Sequence, residues 1–298
     1  MAEEEAVVAD AAAVAGDVVK MSAMNNIPFL GTGIGFRPEI KSLIFLNRDK
    51  IGFIEIIAEH YMDVPDEKLR ELEFLKKHFT VIPHAINLSL GSAEGLDHDY
   101  LLKLKKLVEL IDPPYWSEHI SYTKAHGIDA GHLSPIVYNN GLLAILKRNI
   151  QTVKELIPYP LILENITYHV ELPGREYSDA AFLNTLCKET GCGLLLDITN
   201  LYINSRNMHF DAKQFIDELH LKNIVQLHFV GCEELPEQVI DTHASKTSPA
   251  IFSLMNYLLS KHRPKGILLE RDEHFEKTDE IIDDLLTAKK LIAECSLN

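Results

Sequence analysis

The chain has 298 residues, long enough for one large domain, and its apolar fraction of 46% is enough for a substantial core. Acidic residues outnumber basic ones by 44 to 29, and the formal net charge of −15 repels phosphate backbones, which argues against nucleic-acid binding. The four cysteines form no CxxC pair, and no run approaches the roughly 18 apolar residues of a membrane span. We therefore expect a cytoplasmic protein that binds neither nucleic acid nor membrane.

The first 25 residues differ in composition from the rest of the chain. They are rich in Ala, Val and Glu, and they lack the basic segment that begins a signal peptide. We expect residues 1–25 to form a disordered tail. Residues 26–298 are expected to form a single domain, because no linker, repeat or low-complexity segment interrupts them.

Short apolar runs recur along the chain from Ile27 onwards, and each has the length of a β-strand. The runs are nearly continuous in apolar residues, which is typical of parallel strands covered on both faces. The predicted strands, in chain order, are Gly31–Arg37, Gly52–Ala58, Thr80–Ile86, Tyr115–Ser121, Pro160–Ile166, Gly193–Thr199, Ile224–Gly231 and Gly266–Asp272.

A longer amphipathic stretch follows each predicted strand. Leu101, Leu104 and Leu107, for example, recur at intervals of three and form one apolar face of a helix. The predicted helices are Pro38–Asn47, Asp66–His78, Asp99–Asp112, Gly141–Leu156, Tyr177–Thr190, Ala212–Leu219, Ser248–Lys261 and Thr278–Ala293. Eight strand–helix units in strict alternation predict an α/β fold, a (β/α)8 TIM barrel, with an open doubly wound sheet as the alternative.

Side chains that bind metals follow nearly every predicted strand. In a parallel barrel the carboxyl ends of the strands and the loops after them meet at one rim, so these side chains should converge. The candidates, in chain order, are His84, Glu118, His119, Glu164, Asn165, Asp197, Asn200, His228, Asp241, His243 and Glu270.

Several of these groups directly follow a buried apolar run, as in LILEN, LLLDI, VQLHF and ILLER. An isolated carboxylate in that position costs several kcal/mol of desolvation unless it is paired or binds a metal. Few cations lie nearby in the sequence, namely Arg37, Lys246 and Arg271. We therefore predict a multinuclear metal site at this rim. The mixture of imidazole and carboxylate favours iron, zinc or manganese over calcium.

Each candidate alone also has a structural explanation. His228 could be a histidine satisfied within the core, and Glu164 could cap a loop. Asp241 and His243 could form an Asx turn followed by an exposed imidazole. Acids or histidines at the ends of six successive strands favour one shared site over these separate explanations.

The ends of the first two strands carry further polar residues. Arg37 follows the glycine-rich run GTGIG, and we expect it to hold a substrate carboxylate. The run does not match a dinucleotide-binding fingerprint, because no GxGxxG opens a helix. Glu55, Glu59 and His60 end the second strand, and the sequence leaves open whether they support the site or shape a loop.

An ordered series of motifs runs along the predicted strand ends. The motifs are GxGxR (Gly33–Arg37), EIIAEHY (Glu55–Tyr61), PHAINLSLGS (Pro83–Ser92), SEHISY (Ser117–Tyr122), LENITY (Leu163–Tyr168), LLLDITNLYINS (Leu194–Ser205), LHFVGC (Leu227–Cys232), DTH (Asp241–His243) and LERD (Leu269–Asp272). The series resembles that of the multinuclear non-heme iron-dependent oxidative enzymes, which include the oxidases of methanobactin and thiaglutamate biosynthesis. The resemblance runs from about Ile27 to Asp272, and a similar rim occurs in the wider superfamily of xylose isomerase and the AP endonucleases.

The resemblance implies a chemistry and a set of roles. It implies two or three iron ions, in a mixed Fe(II)/Fe(III) state, that use dioxygen to oxidise cysteine in a ribosomally made precursor peptide. It also implies a separate partner protein that recognises the leader of that peptide. Glu118, Asn165 and Arg37 would then be catalytic. The implied iron ligands are His84, Glu118, Glu164, Asp197, Asn200, His228, Asp241, His243 and Glu270, with Asn165 and Asn200 as ligands or orienting groups.

Two other functions stay open on the sequence. A divalent-metal hydrolase or isomerase of the AP-endonuclease or xylose-isomerase type would use a similar rim. The charge of −15 disfavours DNA as a substrate, and we find no convincing lysine for a sugar isomerase. A barrel that binds metal without turnover is the third possibility.

Overall fold

The structure, a computed structural model, describes residues 24, 26–125 and 127–295. The predicted tail of residues 1–25 lies outside these residues, apart from Met24. In the described part of the chain, no helix is long and apolar enough to cross a membrane.

A closed parallel barrel forms the centre of the described residues and confirms the predicted (β/α)8 fold. The first and last strands close it, with Gly31 opposite Gly266 and Ile34 opposite Leu269. The barrel strands are β1 (Gly31–Gly35), β2 (Phe53–Ile57), β3 (Thr80–Ala85), β4 (Trp116–His119), β7 (Leu161–Glu164), β8 (Gly193–Asp197), β9 (Ile224–Phe229) and β12 (Gly266–Leu269).

Helices surround the barrel and bury the apolar faces that their sequences predict. The helix after β3 buries Leu101, Leu104 and Leu107, and the side chain of Asp97 accepts hydrogen bonds from the first turn. The segment after β1 is shorter than predicted, because a 3-10 turn (Pro38–Ile40) precedes its helix. The α-helices are α1 (Lys41–Leu46), α2 (Asp66–Lys76), α3 (His98–Ile111), α4 (Asn140–Leu156), α5 (Asp179–Thr190), α6 (Ile198–Asn207), α7 (Ala212–Glu218), α8 (Pro249–Leu259) and α9 (Thr278–Glu294).

Helix α6 corrects the predicted strand Gly193–Thr199, which ends at Asp197 instead. The side chain of Asp197 accepts a hydrogen bond from the backbone N–H of Asn200 and caps the helix. An aspartate in that position satisfies a donor that has no partner inside the helix, so the chain turns helical at once.

Two antiparallel hairpins lie outside the barrel and were not predicted. One pairs β5 (Tyr122–Ala125) with β6 (Ile128–Ser134), and the other pairs β10 (Gly231–Glu234) with β11 (Val239–Ser245). The predicted strand Ile224–Gly231 therefore divides into β9 and the start of β10, and the DTH tripeptide lies on β11 rather than in a loop.

The two ends of the barrel interior differ in chemistry. An apolar cluster that includes Phe53, Ile82 and Leu195 fills the amino-terminal end. Gly33 leaves room for the ring of Phe53, which lies 2.6 Å from the position a Cβ would take. The apolar side chains close this end of the barrel, and the polar side chains of the strands lie at the opposite, carboxyl end.

Candidate metal centre

Buried acids and histidines occupy the carboxyl end of the barrel on adjacent strands. The register places His119 of β4 opposite Glu164 of β7, and Asp197 of β8 opposite His228 of β9. These four side chains, together with His84, Glu118 and Glu270, are almost wholly removed from solvent; Glu270 retains the largest exposure, 13% of its side chain. The fold thus brings together predicted residues that lie nearly 190 positions apart along the chain.

Glu164 lies at the centre of this cluster. Its Oε2 atom is 3.4 Å from His84 Nε2 and 3.5 Å from His119 Nε2, and its Oε1 atom is 3.3 Å from His228 Nδ1. The same Nδ1 atom lies 3.0 Å from Glu270 Oε2. One carboxylate therefore faces three imidazoles.

Three overlapping sets of donors could each hold a metal ion, and within each set the atoms lie within 4.8 Å of one another. His84, Glu164 and Glu270 each belong to two sets, so ions bound in neighbouring sets would share ligands. The sets are His84, His119 and Glu164; then Glu164, Asp197, His228 and Glu270; and then Glu55, His84 and Glu270.

The hairpin β10–β11 brings His243 to the edge of the cluster. His243 Nε2 is 3.3 Å from Glu270 Oε2 and 4.0 Å from Asp197 Oδ2. Its other ring nitrogen lies 2.6 Å from Asp241 Oδ1. In this arrangement Asp241 contacts His243 and orients its ring, as carboxylates commonly do for metal-binding histidines.

The two predicted asparagines hold backbone close to the cluster. Asn165 accepts a hydrogen bond from the N–H of Asp197 (2.9 Å) and donates one to the carbonyl of Asp197 (3.1 Å). Asn200 donates to the carbonyl of Asn165 (3.0 Å). Asn165 therefore fixes the position of Asp197.

Arg37 lies at the rim but is paired within the protein. Its guanidinium donates to Asp272 Oδ1 from Nε (3.0 Å) and Nη2 (2.5 Å), and to the carbonyl of Phe36 (3.0 Å). The backbone N–H of Asp272 in turn donates to the carbonyl of His243 (2.9 Å). Arg37 thus supports the segment that follows Glu270, and its role with a substrate carboxylate stays a prediction.

Two further side chains belong to the cluster geometrically, although they are not among the ligands that the family resemblance implies. His119 is one of the metal-capable side chains that the sequence places at a strand end, next to Glu118. Glu55 lies inside the barrel, where its Oε1 atom is 3.0 Å from His228 Nε2. Gln226 donates to Glu55 Oε2 (2.7 Å) and accepts from the hydroxyl of Tyr115 (2.5 Å), so a polar chain continues below the cluster.

The acids of the cluster are held in a poorly solvated space. Burial, with the charge of Glu164, raises the pKa of Asp197 to about 7. Burial also raises the pKa of Glu118. For Glu164, burial is outweighed by the charges of His228 and His119, which lower its pKa. Among the described residues, no lysine or arginine lies within ion-pair distance of these three carboxylates.

Several donor atoms fit a bound metal because they lack another partner. Asp197 Oδ2, Glu164 Oε2 and Asn200 Oδ1 are buried, and within the described chain none of them makes a hydrogen bond. Buried polar atoms are normally satisfied, so these oxygens fit a site for a bound cation. The nitrogen and oxygen donor set suits iron, zinc or manganese.

The fold is similar to that of proteins with known structures. A xylose isomerase domain protein from Planctomyces limnophilus matches with a TM-score of 0.60 at 10% identity, over 90% of this chain and 100% of that one. A D-psicose 3-epimerase, solved in the presence of D-fructose, matches with a TM-score of 0.53 at 12% identity, over 88% and 97%. At these identities the likeness shows the fold alone.

Sequence relatives cover nearly the whole chain. A UPF0276 protein of Caulobacter vibrioides is 29% identical over 88% of this chain and 94% of its own length. A UPF0276 protein of Rhizorhabdus wittichii is 31% identical over 91% and 97%. The family model described as RiPP precursor modification enzyme MbnB/TglH/ChrH matches residues 31–293. The chain therefore belongs to the MbnB/TglH/ChrH family of enzymes that modify ribosomally made precursor peptides.

Proposed function

We propose that this protein is an iron- and dioxygen-dependent oxidase that modifies a cysteine of a ribosomally made precursor peptide. The observation that carries the proposal is the buried cluster of carboxylates and histidines centred on Glu164, which has unsatisfied donor atoms and, among the described residues, no lysine or arginine partner. Membership of a family of precursor-modifying enzymes supports a peptide as the substrate.

The proposed centre holds two or three irons in a mixed Fe(II)/Fe(III) state. When bound, the irons would supply electron transfer to dioxygen and a Lewis-acidic position for a substrate thiolate. His119 and Glu55 join the ligands expected from the sequence, because their donor atoms lie in the same overlapping sets. The other proposed ligands are His84, Glu118, Glu164, Asp197, Asn200, His228, Asp241, His243 and Glu270.

The surrounding residues orient these ligands and exclude water. Asn165 fixes the backbone of Asp197, and Glu55 fixes one nitrogen of His228 so that the other faces Glu164 and Glu270. Glu118 accepts hydrogen bonds from the N–H groups of Leu88 (3.0 Å) and His119 (2.7 Å), which fix the position of both carboxylate oxygens. We assign Glu118 the catalytic role expected of it, Asn165 a positioning role through Asp197, and Arg37 a place at the rim.

We also propose that a separate protein recognises the leader of the precursor. The described residues form one barrel with two hairpins, and within them no second folded unit is available to bind a leader. Full-rate modification of a leaderless core peptide by the isolated enzyme would contradict this part of the proposal. We expect the reaction to take place in the cytoplasm, where free thiols such as that of Cys232 stay reduced.

The test is anaerobic reconstitution with Fe(II), followed by incubation in air with a cysteine-containing precursor peptide and the protein that recognises its leader. We expect dioxygen consumption and a mass change confined to a cysteine residue. A Glu164→Gln variant should lose both, since one shared ligand contacts three histidines. Full activity with zinc alone, without dioxygen uptake, would rule out the oxidase.

A further inference from the structure

A groove opens on the rim beside the candidate metal centre. It lies between the segment after β6 and the long loop after β7, and its empty volume of about 390 Å3 is partly open to solvent. A second, smaller cleft continues it inwards and shares Tyr138, Ile166, Tyr168 and Asp179 with it. We call the two together the rim groove. It is a shallow surface groove that a side chain of a bound molecule could cover, and it is not an enclosed cofactor pocket.

The walls of the rim groove are mostly aliphatic. Ile136, Val137, Val170 and Leu172 line it, and Val170 is 58% exposed to solvent. An exposed valine facing other aliphatic side chains leaves apolar surface that a bound apolar group would cover.

The polar groups of the rim groove are already satisfied by one another. Arg175 Nη2 lies 2.7 Å from Asp179 Oδ2, and the hydroxyl of Tyr168 donates to the same oxygen (3.1 Å). The guanidinium also lies over the ring of Tyr138, 5.4 Å from its centre, and 3.4 Å from Glu171. Two carboxylates face one arginine, so the groove has no spare positive charge for an acidic ligand.

The first residues after β7 border both the metal centre and the rim groove. Asn165, which fixes Asp197, lines the inner cleft beside Ile166. The next residue, Thr167, donates a hydrogen bond to Asp241 Oδ2 (3.3 Å). A peptide that places one residue at the cluster would therefore carry its neighbouring residue over this groove.

Resting on the function proposed above, we propose that the rim groove is a specificity subsite for the peptide substrate. It accepts an aliphatic or aromatic side chain next to the residue that is modified, and it rejects an acidic one. The occupant is a peptide because the groove adjoins the centre of a precursor-modifying enzyme. It is apolar because the walls are aliphatic and the charges are internally paired.

The test measures binding without oxidation. The chelated, metal-free protein is titrated with three probes, Ac-Gly-Xaa-Ser-Xaa-Gly-NH2 with 4-fluorophenylalanine, alanine or aspartate at Xaa, where serine replaces the oxidisable cysteine. Binding is followed by 19F NMR of the fluorinated probe and by its displacement with the other two. The aromatic probe should bind about tenfold more tightly than the alanine probe, and the aspartate probe should bind weakest.

Variants on a single loop locate the binding. Val170→Trp fills the groove and should weaken the aromatic probe at least fivefold, and Leu172→Asp should do the same by adding a third acid. His169→Trp is the matched control, an exposed neighbour outside the lining, and should stay within twofold of wild type. Thermal unfolding identifies any variant that fails to fold.

Each outcome decides the proposal. No binding to wild type at 10 mM probe, equal binding by Val170→Trp and His169→Trp, or no preference for the aromatic probe overturns it. Because the assay needs neither iron nor dioxygen, the subsite can hold even if the oxidase proposal fails. Conversely, if the Val170→Trp variant oxidises cysteine at an unchanged rate, the oxidase proposal holds and the subsite proposal fails.

Discussion

Asp197 serves the fold and the candidate site with different atoms of one carboxylate. Its Oδ1 atom accepts the hydrogen bond that caps helix α6, while its Oδ2 atom faces His243 from within the cluster. Loss of a helix cap costs about 1 kcal/mol by itself. A substitution that tests the metal role must therefore keep the cap, and asparagine does so because its side-chain oxygen still accepts the bond.

Asn165 offers a test of a positioning residue. Its replacement by alanine leaves the N–H of buried Asp197 unpaired and removes one hydrogen bond to the carbonyl, and we expect a loss of about 1–3 kcal/mol of unfolding free energy together with weaker iron binding. Asn184 makes the same two-sided contact, to His220 N–H and the Glu218 carbonyl, at the exposed surface. Urea unfolding and elemental analysis of both alanine variants check this, and full iron content in Asn165→Ala would reject the positioning role.

Asp284 is a buried carboxylate that should make the stability of the folded protein depend on pH. Burial raises its pKa from 3.8 to about 6, although it accepts two hydrogen bonds from Thr247. The folded state then binds the proton more tightly than the unfolded state, so its contribution to stability falls as pH rises from about 4 to about 6.

The Asp284→Asn variant removes that titration. Relative to wild type, its unfolding free energy should increase by up to about 2–3 kcal/mol between pH 4 and pH 7. Urea unfolding of the two chelated proteins at several pH values measures the difference, in which the other titrating groups cancel. A difference that does not change with pH would show that Asp284 titrates normally.

At the scale of the element, hairpin β10–β11 carries His243 and Asp241 to the cluster, and its geometry depends on Gly231. An added Cβ at Gly231 would lie 2.3 Å from the carbonyl oxygens of Ser245 and Lys246, so the two strands would have to separate. We expect Gly231→Ala to reduce iron content while the barrel stays folded.

Gly52 provides the control for that substitution. A Cβ there would lie 2.0 Å from the Leu30 carbonyl, at the amino-terminal end of the barrel and away from the cluster. Gly52→Ala should lower the melting temperature without changing the iron bound per folded chain. Equal loss of iron in both variants would mean that general destabilisation, rather than the hairpin, explains the effect.

The elements that the sequence predicts well are those with a local signal. Continuous apolar runs and amphipathic repeats indicate the barrel strands and most helices. The sequence does not predict helix α6, because LLLDITNLYINS is apolar enough to continue as a strand. The change from strand to helix depends on the hydrogen bond by which the Asp197 side chain caps the helix. The sequence does not predict hairpin β10–β11 either, because its strands GCEE and VIDTHAS are short and half polar. Their pairing is a tertiary contact that no local pattern indicates.

The residues of the candidate site also divide into those that a local sequence pattern predicts and those that it does not. Residues at strand ends, such as Glu164 and His228, follow from the position of each apolar run. Glu55 does not, because β2 is apolar on both faces and alternation alone cannot tell which face points into the barrel. Its position below His228 depends on the closure of the barrel.

At the scale of the whole molecule, the acid excess and the buried cluster have a common consequence. The net charge of −15 opposes a compact state, and at the carboxyl end of the barrel part of that charge is desolvated. Bound cations would offset it. Iron binding should therefore stabilise the fold, by about 2.7 kcal/mol when free metal exceeds the dissociation constant a hundredfold.

The most direct test of the metal centre combines iron content and thermal unfolding at pH 7.5 for wild type, Asp197→Asn and Asp284→Asn, each reconstituted and after chelation. We predict two or three irons in wild type and in Asp284→Asn, and at least one fewer in Asp197→Asn. Chelated Asp197→Asn should melt at or above the temperature of chelated wild type, because it keeps the cap and loses a buried charge. Unchanged iron content in Asp197→Asn, with a sharp fall in its metal-free melting temperature, would contradict the account and make Asp197 a structural carboxylate.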